Sequence, residues 1–178
     1  MKKFTVGAAM AVLSVSGLGL VATGAADASA TVKPSTQDVT WMKSNAQTDL
    51  AEISLGTLVA SKSTNADTLS LAKITKSQHT TALSKLSTLA KGLHVTLPTS
   101  PNATQLKQAA QLKKLSGLTF DKTYDQDQIA GHILSISQTN TEISKGRDAK
   151  VVNFANYYLP IAEMHLKMAQ KLKTELNP

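Results

Sequence analysis

Hydrophobic and polar residues along this chain repeat with the period of an amphipathic α-helix. Two stretches in the first half, residues 36–61 and 66–93, have core-type positions spaced alternately three and four residues apart. This spacing lines up one seam of a helix, and such seams pack against each other at shallow angles. We therefore predict two long helices. The first seam is Met42, Ala46, Asp49, Ile53, Gly56 and Ala60, and the second is Ala72, Thr75, His79, Ala82, Leu86, Leu89 and Leu93.

Two further stretches, residues 121–143 and 148–176, show the same spacing and predict a third and a fourth long helix. Pro160 interrupts the last one. Proline has no backbone N–H and its ring crowds the carbonyl four residues earlier, so we expect either a kink near Asn156 or a break. The seam keeps its phase across Pro160, which favours the kink. The third seam is Ile129, His132, Ile136, Thr139 and Ile143, and the fourth is Val151, Ala155, Tyr158, Ala162, His165, Ala169, Leu172 and Leu176.

A long connection, residues 94–118, separates the second predicted helix from the third. It contains Pro98 and Pro101 and then a stretch over 103–115 that predicts a short helix. Because this connection need not be a tight turn, the third helix can lie parallel to the second, as in bundles with one crossover, and the topology stays open. The predicted fold is all-α: a four-helix bundle with a long connection carrying a short extra helix between helices two and three.

The amino-terminal segment has the layout of a secretory signal peptide. Two lysines near the start precede an apolar stretch over residues 4–22, and the small residues Ala-Ser-Ala end the segment. We predict that residues 1–30 are a cleaved signal peptide and that 31–178 form a single exported helical domain, periplasmic, extracellular or in the cell envelope. An uncleaved anchor is the alternative, because the apolar stretch is nearly long enough to span a bilayer. Its glycine, serine and threonine residues and the Ala-Ser-Ala ending favour cleavage.

Charge and cysteine content narrow the classes of function. The chain has a formal net charge of +7 and no cysteine, so it has no disulfide, no thiol nucleophile and no lipid-modified cysteine anchor. Its basic residues are spread along the sequence and aromatic residues make up 4% of it. Nucleic-acid recognition usually needs a concentrated basic stripe or stacking aromatics, so we expect no nucleic-acid partner. The basic surface is either simply solvated or in weak contact with anionic envelope polymers or a membrane surface.

Three of the four histidines lie on the predicted seams, namely His79, His132 and His165 on the second, third and fourth long helices. Glu52 borders the inner side of the first. A single core histidine is usually satisfied by a neighbouring backbone or hydroxyl group. One inward polar group on each of four helices indicates either a polar network or a metal site, and imidazoles with one carboxylate suit zinc, copper or iron. His94 lies in the connection, where we expect it to be exposed.

No catalytic constellation accompanies these residues. Diiron centres in helical bundles need a carboxylate three residues before each of two histidines, and the residues at that offset are Lys76, Ile129 and Ala162. The sequence also contains no nucleophile elbow and no glycine-rich phosphate loop. We assign no catalytic and no organic-cofactor residue. The sequence therefore leaves enzymatic activity open and favours a non-enzymatic protein.

Several short motifs occur in order along the chain: Glu52 with Leu55 and Gly56, His79 followed by Leu83, Leu115-Ser116-Gly117 with Phe120-Asp121, Gly131-His132, and Leu159-Pro160 leading to His165-Leu166. With these motifs the chain resembles a family of exported bacterial proteins known as domain of unknown function 4142, often described as membrane or outer-membrane proteins. The resemblance implies no activity. It implies a ferritin-like four-helix fold whose characteristic polar positions are Glu52, His79, Asp121, His132 and His165.

One position departs from this family pattern. Gln78 stands where an aspartate commonly precedes the histidine. If that aspartate orients the imidazole in relatives, its role is weakened in this chain or has moved to another residue.

Two hypotheses about function follow. In the first, the protein is an exported ferritin-like bundle of unknown cellular role that binds a transition metal ion at Glu52, His79, His132 and His165. In the second, it is a non-catalytic, envelope-associated interaction module with a basic surface, and the histidines only fill the core.

Overall fold

The computed structural model describes residues 33–177, so the predicted signal peptide, residues 1–30, lies outside the described part of the chain. The described residues form five helices and no strand, which confirms the all-α prediction. No helix among them is long and apolar enough to cross a membrane. The helices are α1 (Thr36–Lys62), α2 (Ala66–Gly92), α3 (Ala103–Leu112), α4 (Gly117–Lys145) and α5 (Ala149–Glu175).

Polar caps fix where most of the helices begin. The side chain of Ser35 accepts a hydrogen bond from the backbone N–H of Asp38, whose carboxylate accepts the N–H of Ser35 in a capping box. Asn65 and Asp148 cap α2 and α5 through their side-chain oxygens. These signals explain why α1, α2 and α5 begin within one residue of their predicted positions; their ends also lie within one residue of the prediction.

Two boundaries differ from the prediction by three residues or more. The short helix α3 ends at Leu112 rather than at residue 115, and α4 begins at Gly117 rather than at residue 121. Gly117 has a φ of +56°, which glycine adopts without strain. The added turn carries the side chain of Phe120 into the core, where it is fully buried. We attribute the early start to burial of this ring, because Ser116 makes no side-chain cap.

Hydrogen bonds between side chains fix the direction of the helices. Trp41, near the start of α1, donates to Thr139, near the end of α4, and Ser63, just after α1, donates to Asp121, near the start of α4. α1 and α4 are therefore antiparallel. Short turns join α1 to α2 and α4 to α5, so α2 and α4 run parallel, and the connection over residues 93–116 returns along their length. α3 lies in this crossover connection and contacts α1 and α4.

Two apolar clusters occupy the two ends of the four long helices and leave a polar layer between them. Burial of the apolar side chains supplies the main stabilising free energy, and the same packing withdraws the middle layer from water. One cluster centres on Trp41, Leu86 and Phe154, and the other on Leu71, Phe120 and Leu172. The polar layer comprises the buried residues Asp49, Glu52, Thr75, His79, Gln128, His132 and His165.

α5 runs from Ala149 to Glu175 without a break, so the break that one alternative placed at Pro160 does not occur. The proline ring removes the N–H partner of the Asn156 carbonyl. Both residues are exposed, so water can bind this carbonyl and the helix continues.

α1 and α2 approach each other closely at Gly56. A Cβ atom at this position would lie 2.6 Å from Lys76 Cβ and 3.0 Å from the carbonyl oxygen of Ala72. The first separation is shorter than van der Waals contact allows. The close approach therefore requires a residue without a side chain.

We expect Gly56→Ala to destabilise the protein by about 1–3 kcal/mol, because overpacking outweighs the roughly 1 kcal/mol that alanine gains over glycine inside a helix. Gly131→Ala is the matched control, since Gly131 lies inside α4 with open space around its Cβ position. The control should be at least as stable as wild type. Urea unfolding followed by circular dichroism measures both, and equal stability of the two variants would contradict the close approach.

Candidate metal centre

The polar layer brings together three histidines from three helices. His79 on α2, His132 on α4 and His165 on α5 are each at most 2% exposed. One ring nitrogen of each lies within 4.8 Å of the corresponding nitrogens of the other two. The closest pair given by the hydrogen-bond geometry is His132 Nε2 and His165 Nδ1, 3.2 Å apart. Helical periodicity explains the meeting, because all three residues lie on seams that face the core between the two apolar clusters.

The second nitrogen of each ring lies against an oxygen that accepts a hydrogen bond. An oxygen acceptor requires a donor, so each imidazole carries its proton on this outer nitrogen. Each ring is thereby held in one tautomer and one orientation. The three pairs are His79 Nδ1 with Asp49 Oδ1 at 2.7 Å, His132 Nδ1 with the backbone carbonyl of Gln128 at 2.8 Å, and His165 Nε2 with the amide oxygen of Gln78 at 2.7 Å.

With the protons on the outside, the inner nitrogens carry lone pairs that face one another. A neutral imidazole has one N–H and one lone pair, so the 3.2 Å pair between His132 and His165 has no proton to share. Nε2 of His79 is also buried and makes no hydrogen bond within residues 33–177. Buried acceptors without a donor are costly, and a cation bound between them removes that cost.

Near neutral pH, protonation of His132 and His165 does not supply the positive charge that their inner nitrogens would accept. Burial lowers the pKa of His132, and it lowers the pKa of His165 to about 3 with the neighbouring imidazoles acting in the same direction. Burial raises the pKa of Asp49 to about 6, against the lowering effect of its hydrogen bond with His79. At pH 7 the layer therefore holds neutral imidazoles at His132 and His165 beside an ionised Asp49.

The spacing of His132 Nε2 and His165 Nδ1 fits two ligands of one tetrahedral metal ion. Imidazole nitrogens bind zinc at about 2.0–2.1 Å, which puts two nitrogens on one tetrahedral ion about 3.3 Å apart. The 3.2 Å separation between His132 and His165 agrees with this value. Three histidines leave the fourth position of a tetrahedral ion open. This ligand set suits zinc or copper better than it suits non-haem iron, which is usually bound by histidines together with a carboxylate.

Glu52 borders the three histidines but is not in the group whose ligand atoms converge. Both of its carboxylate oxygens accept hydrogen bonds from Gln128 Nε2, at 3.1 and 2.9 Å. Its negative charge reaches the group, since it raises the pKa of His132 against the effect of burial. Of the four residues predicted from the sequence, the structure brings three together and links Glu52 to them through Gln128.

Two side chains that hold the histidines were not assigned to the site from the sequence. Asp49 occupies a seam position of α1, and a charged residue at a core position is the signal that identifies it. Gln78 is the departure from the family pattern, and its amide binds His165. The carboxylate that orients His79 comes instead from Asp49 on the neighbouring helix. In this chain the carboxylate that orients His79 therefore lies on α1.

Asp121 and His94 lie outside the histidine group. Asp121 accepts a 2.6 Å hydrogen bond from the hydroxyl of Ser63 just beyond the end of α1. The same hydroxyl accepts the N–H of Asn65, so Asp121 stabilises the turn into α2. His94 is exposed, as predicted.

Residues 23–172 match the family model described as Domain of unknown function (DUF4142). The chain belongs to this family. The resemblance inferred from the sequence motifs is thereby confirmed. No curated protein matches the DUF4142 chain. A solved structure that is similar, a crystal structure of a DUF305 fragment from Deinococcus radiodurans, has a TM-score of 0.72 at 11% identity and covers 81% of this chain and 99% of that one. This likeness shows the helical fold alone.

The low pKa of His165 gives this DUF4142 protein a pH-dependent contribution to stability. The pKa of an unperturbed imidazole is 6.5 and that of His165 in the folded protein is about 3, so the unfolded state binds more protons between these values. The contribution is fully present above pH 6.5. It falls by about 1.4 kcal/mol for each pH unit below that, until about pH 3.

We expect metal-free wild type to lose stability relative to His165→Gln as the pH falls from 7 to 4. The comparison with the variant is needed because Asp49, whose pKa is raised to about 6, titrates with the opposite sign. Urea unfolding in the presence of a chelator at each pH measures the difference. A difference that does not change with pH would contradict burial of His165 as a neutral imidazole.

Proposed function

We propose that this protein is an exported, ferritin-like four-helix bundle that binds a transition metal ion, zinc or copper, through His79, His132 and His165. The observation that carries the proposal is the convergence of three ring nitrogens in a layer covered by apolar clusters at both ends. Nothing in residues 33–177 donates a hydrogen bond to Nε2 of His79. The role we propose is binding, without catalysis.

The three outer hydrogen bonds favour a metal site over a polar network that serves only packing. Metal-bound histidines almost always donate their other N–H to a carboxylate, a carbonyl or water, which fixes the ring and makes the ligand nitrogen more basic. Here the acceptors are the carboxylate of Asp49, the amide of Gln78 and the backbone of Gln128. A network built for packing alone would instead turn N–H groups inward to bond the rings to one another.

Glu52 supplies negative charge beside the ion in this proposal. Three neutral ligands leave the charge of a divalent cation uncompensated, and Glu52 and Asp49 are buried carboxylates of the same layer. We place Glu52 as a neighbour of the ion because Gln128 Nε2 occupies both of its oxygens. The substitution Glu52→Gln distinguishes this neighbouring role from the ligand role predicted from the sequence.

We propose that the protein works outside the cytoplasm, in the envelope or beyond it, because of the signal peptide predicted for residues 1–30. Protein recovered from the bacterium that produces it should then begin at Thr31, and N-terminal sequencing measures this. A chain that still begins at Met1 would favour the uncleaved anchor.

Metal analysis of untagged protein tests the proposed site. After saturation with zinc or copper and removal of excess, wild type should keep a single ion per chain. The His79→Ala, His132→Ala double variant should keep almost none, because only one ligand nitrogen remains. His94→Ala is the matched control, since His94 is exposed and lies outside the group, and it should bind metal as wild type does.

Circular dichroism and thermal unfolding of each variant separate loss of metal from loss of fold. Equal, negligible metal in wild type and in the double variant would refute the proposal. In the same assay Glu52→Gln distinguishes its two roles. If Glu52 only neighbours the ion, the substitution should weaken metal binding by about 10- to 100-fold. If Glu52 is a ligand, it should weaken metal binding by more.

An envelope interaction module is the second candidate. Within the described part of the chain, Lys171 with Glu175 is the one ion pair that a lysine or arginine makes. The basic surplus of the sequence is therefore free to contact anionic polymers or lipid headgroups. Such binding would survive the double histidine substitution and weaken at high salt. The metal analysis decides between the candidates, because only the first requires an ion.

A further inference from the structure

A cavity of about 320 Å³ lies between α1, α3 and α4, and the buried residues Glu52 and Gln128 form part of its wall. Most other lining residues are amides and hydroxyls, and Asp127 adds a second carboxylate. None of the residues that line it is a lysine or arginine. In a chain with a net charge of +7, this cavity is a local negative region.

The cavity reaches the layer that holds the histidines. Gln128 lines the cavity, and its backbone carbonyl accepts the N–H of His132. Ser135, another lining residue, contacts the hydroxyl of Tyr158 at 3.3 Å. The Tyr158 ring in turn lies 6.1 Å from the ring of His79. One residue, Gln128, therefore separates the cavity from His132. Two residues, Ser135 and Tyr158, separate it from His79.

The amide oxygen of Gln128 is a buried acceptor without a partner. Gln128 is 1% exposed, its Nε2 donates to Glu52, and its Oε1 makes no hydrogen bond within residues 33–177. Burial and then the charge of Glu52 raise the pKa of Asp127, so the charge of Glu52 reaches this second lining carboxyl group. Carboxylate and amide oxygens are the ligands that hydrated divalent cations accept.

We propose that this cavity is the route by which a divalent cation reaches the imidazoles, and that the carboxylates of Glu52 and Asp127 attract the hydrated cation on the way. The inference rests on the proposed metal site. A buried site needs an access path, and negative charge at the entrance raises the rate of cation capture. A residue that acts only on the route changes the rates of binding and release by the same factor and leaves Kd unchanged.

Stopped-flow measurement of zinc binding and release, with a zinc indicator dye, tests the route in the full chain. Asp127→Asn should slow both rates by about three- to tenfold, with an unchanged Kd and a weaker dependence on salt. Asp67→Asn is the matched control, because Asp67 is an exposed residue in the first turn of α2 and does not line the cavity. Its rates should equal those of wild type.

Gly131→Phe tests the route by obstruction. Gly131 lines the cavity with open space around its Cβ position, so the ring can fill the cavity without disturbing the core. Zinc loading should be slowed by about tenfold or more, with the final zinc content unchanged. Slowing in both variants supports the route. Wild-type rates in either variant, or an altered Kd in Asp127→Asn, would overturn the route but not the metal site. If wild type binds no zinc, both proposals are overturned.

Discussion

The outward hydrogen bonds of the three histidines are the constraint on which the rest of the site depends. Because an oxygen holds each outer N–H, the inner nitrogen of each ring has only a lone pair to offer. An unsatisfied buried acceptor costs about 1–3 kcal/mol. Here three such acceptors lie side by side, and the side chains around them donate no hydrogen bond to them. The apolar clusters at both ends must offset this cost when no ion is bound.

Burial acts differently on a proton and on a metal ion in this layer. A proton satisfies one lone pair but leaves a buried imidazolium. Burial, and then the neighbouring imidazoles, disfavour this charged form, and so the pKa of His165 falls to about 3. A metal ion at the centre satisfies all three lone pairs at once, and the nearby carboxylates of Asp49 and Glu52 balance its charge. The same low dielectric that disfavours protonation strengthens that attraction. In the proposed site, these effects favour a cation that accepts several ligands over a proton.

Helical periodicity was sufficient to predict the inward direction of His79, His132 and His165. It was wrong at Ala60, which is exposed, and the predicted core positions Ile129, Ile136 and Ile143 are only half-buried. It could not predict which groups bind their outer nitrogens. Asp49 and Gln78 act on rings of neighbouring helices, and the acceptor from Gln128 is a backbone carbonyl, which every residue has. These contacts depend on the rotation and offset of one helix against the next.

Glu52 shows the same limit of prediction from sequence. Its place at the border of the inner face of α1 follows from the sequence, but its pairing with Gln128 follows from which helix lies beside α1. The length of the connection over residues 93–116 allowed more than one arrangement of that neighbour. The early start of α4 at Gly117 was missed for a related reason, since it depends on burial of Phe120 in a core that the sequence does not display.

The three imidazoles are divided between two helical hairpins. The α1–α2 hairpin contributes His79, and the α4–α5 hairpin contributes His132 and His165. An ion held by all three is a cross-link between the two halves of the molecule, and it strengthens their association by about 2.7 kcal/mol when its free concentration is a hundred times Kd. Under the proposed function, how firmly the halves hold together depends on the metal content of the surrounding medium.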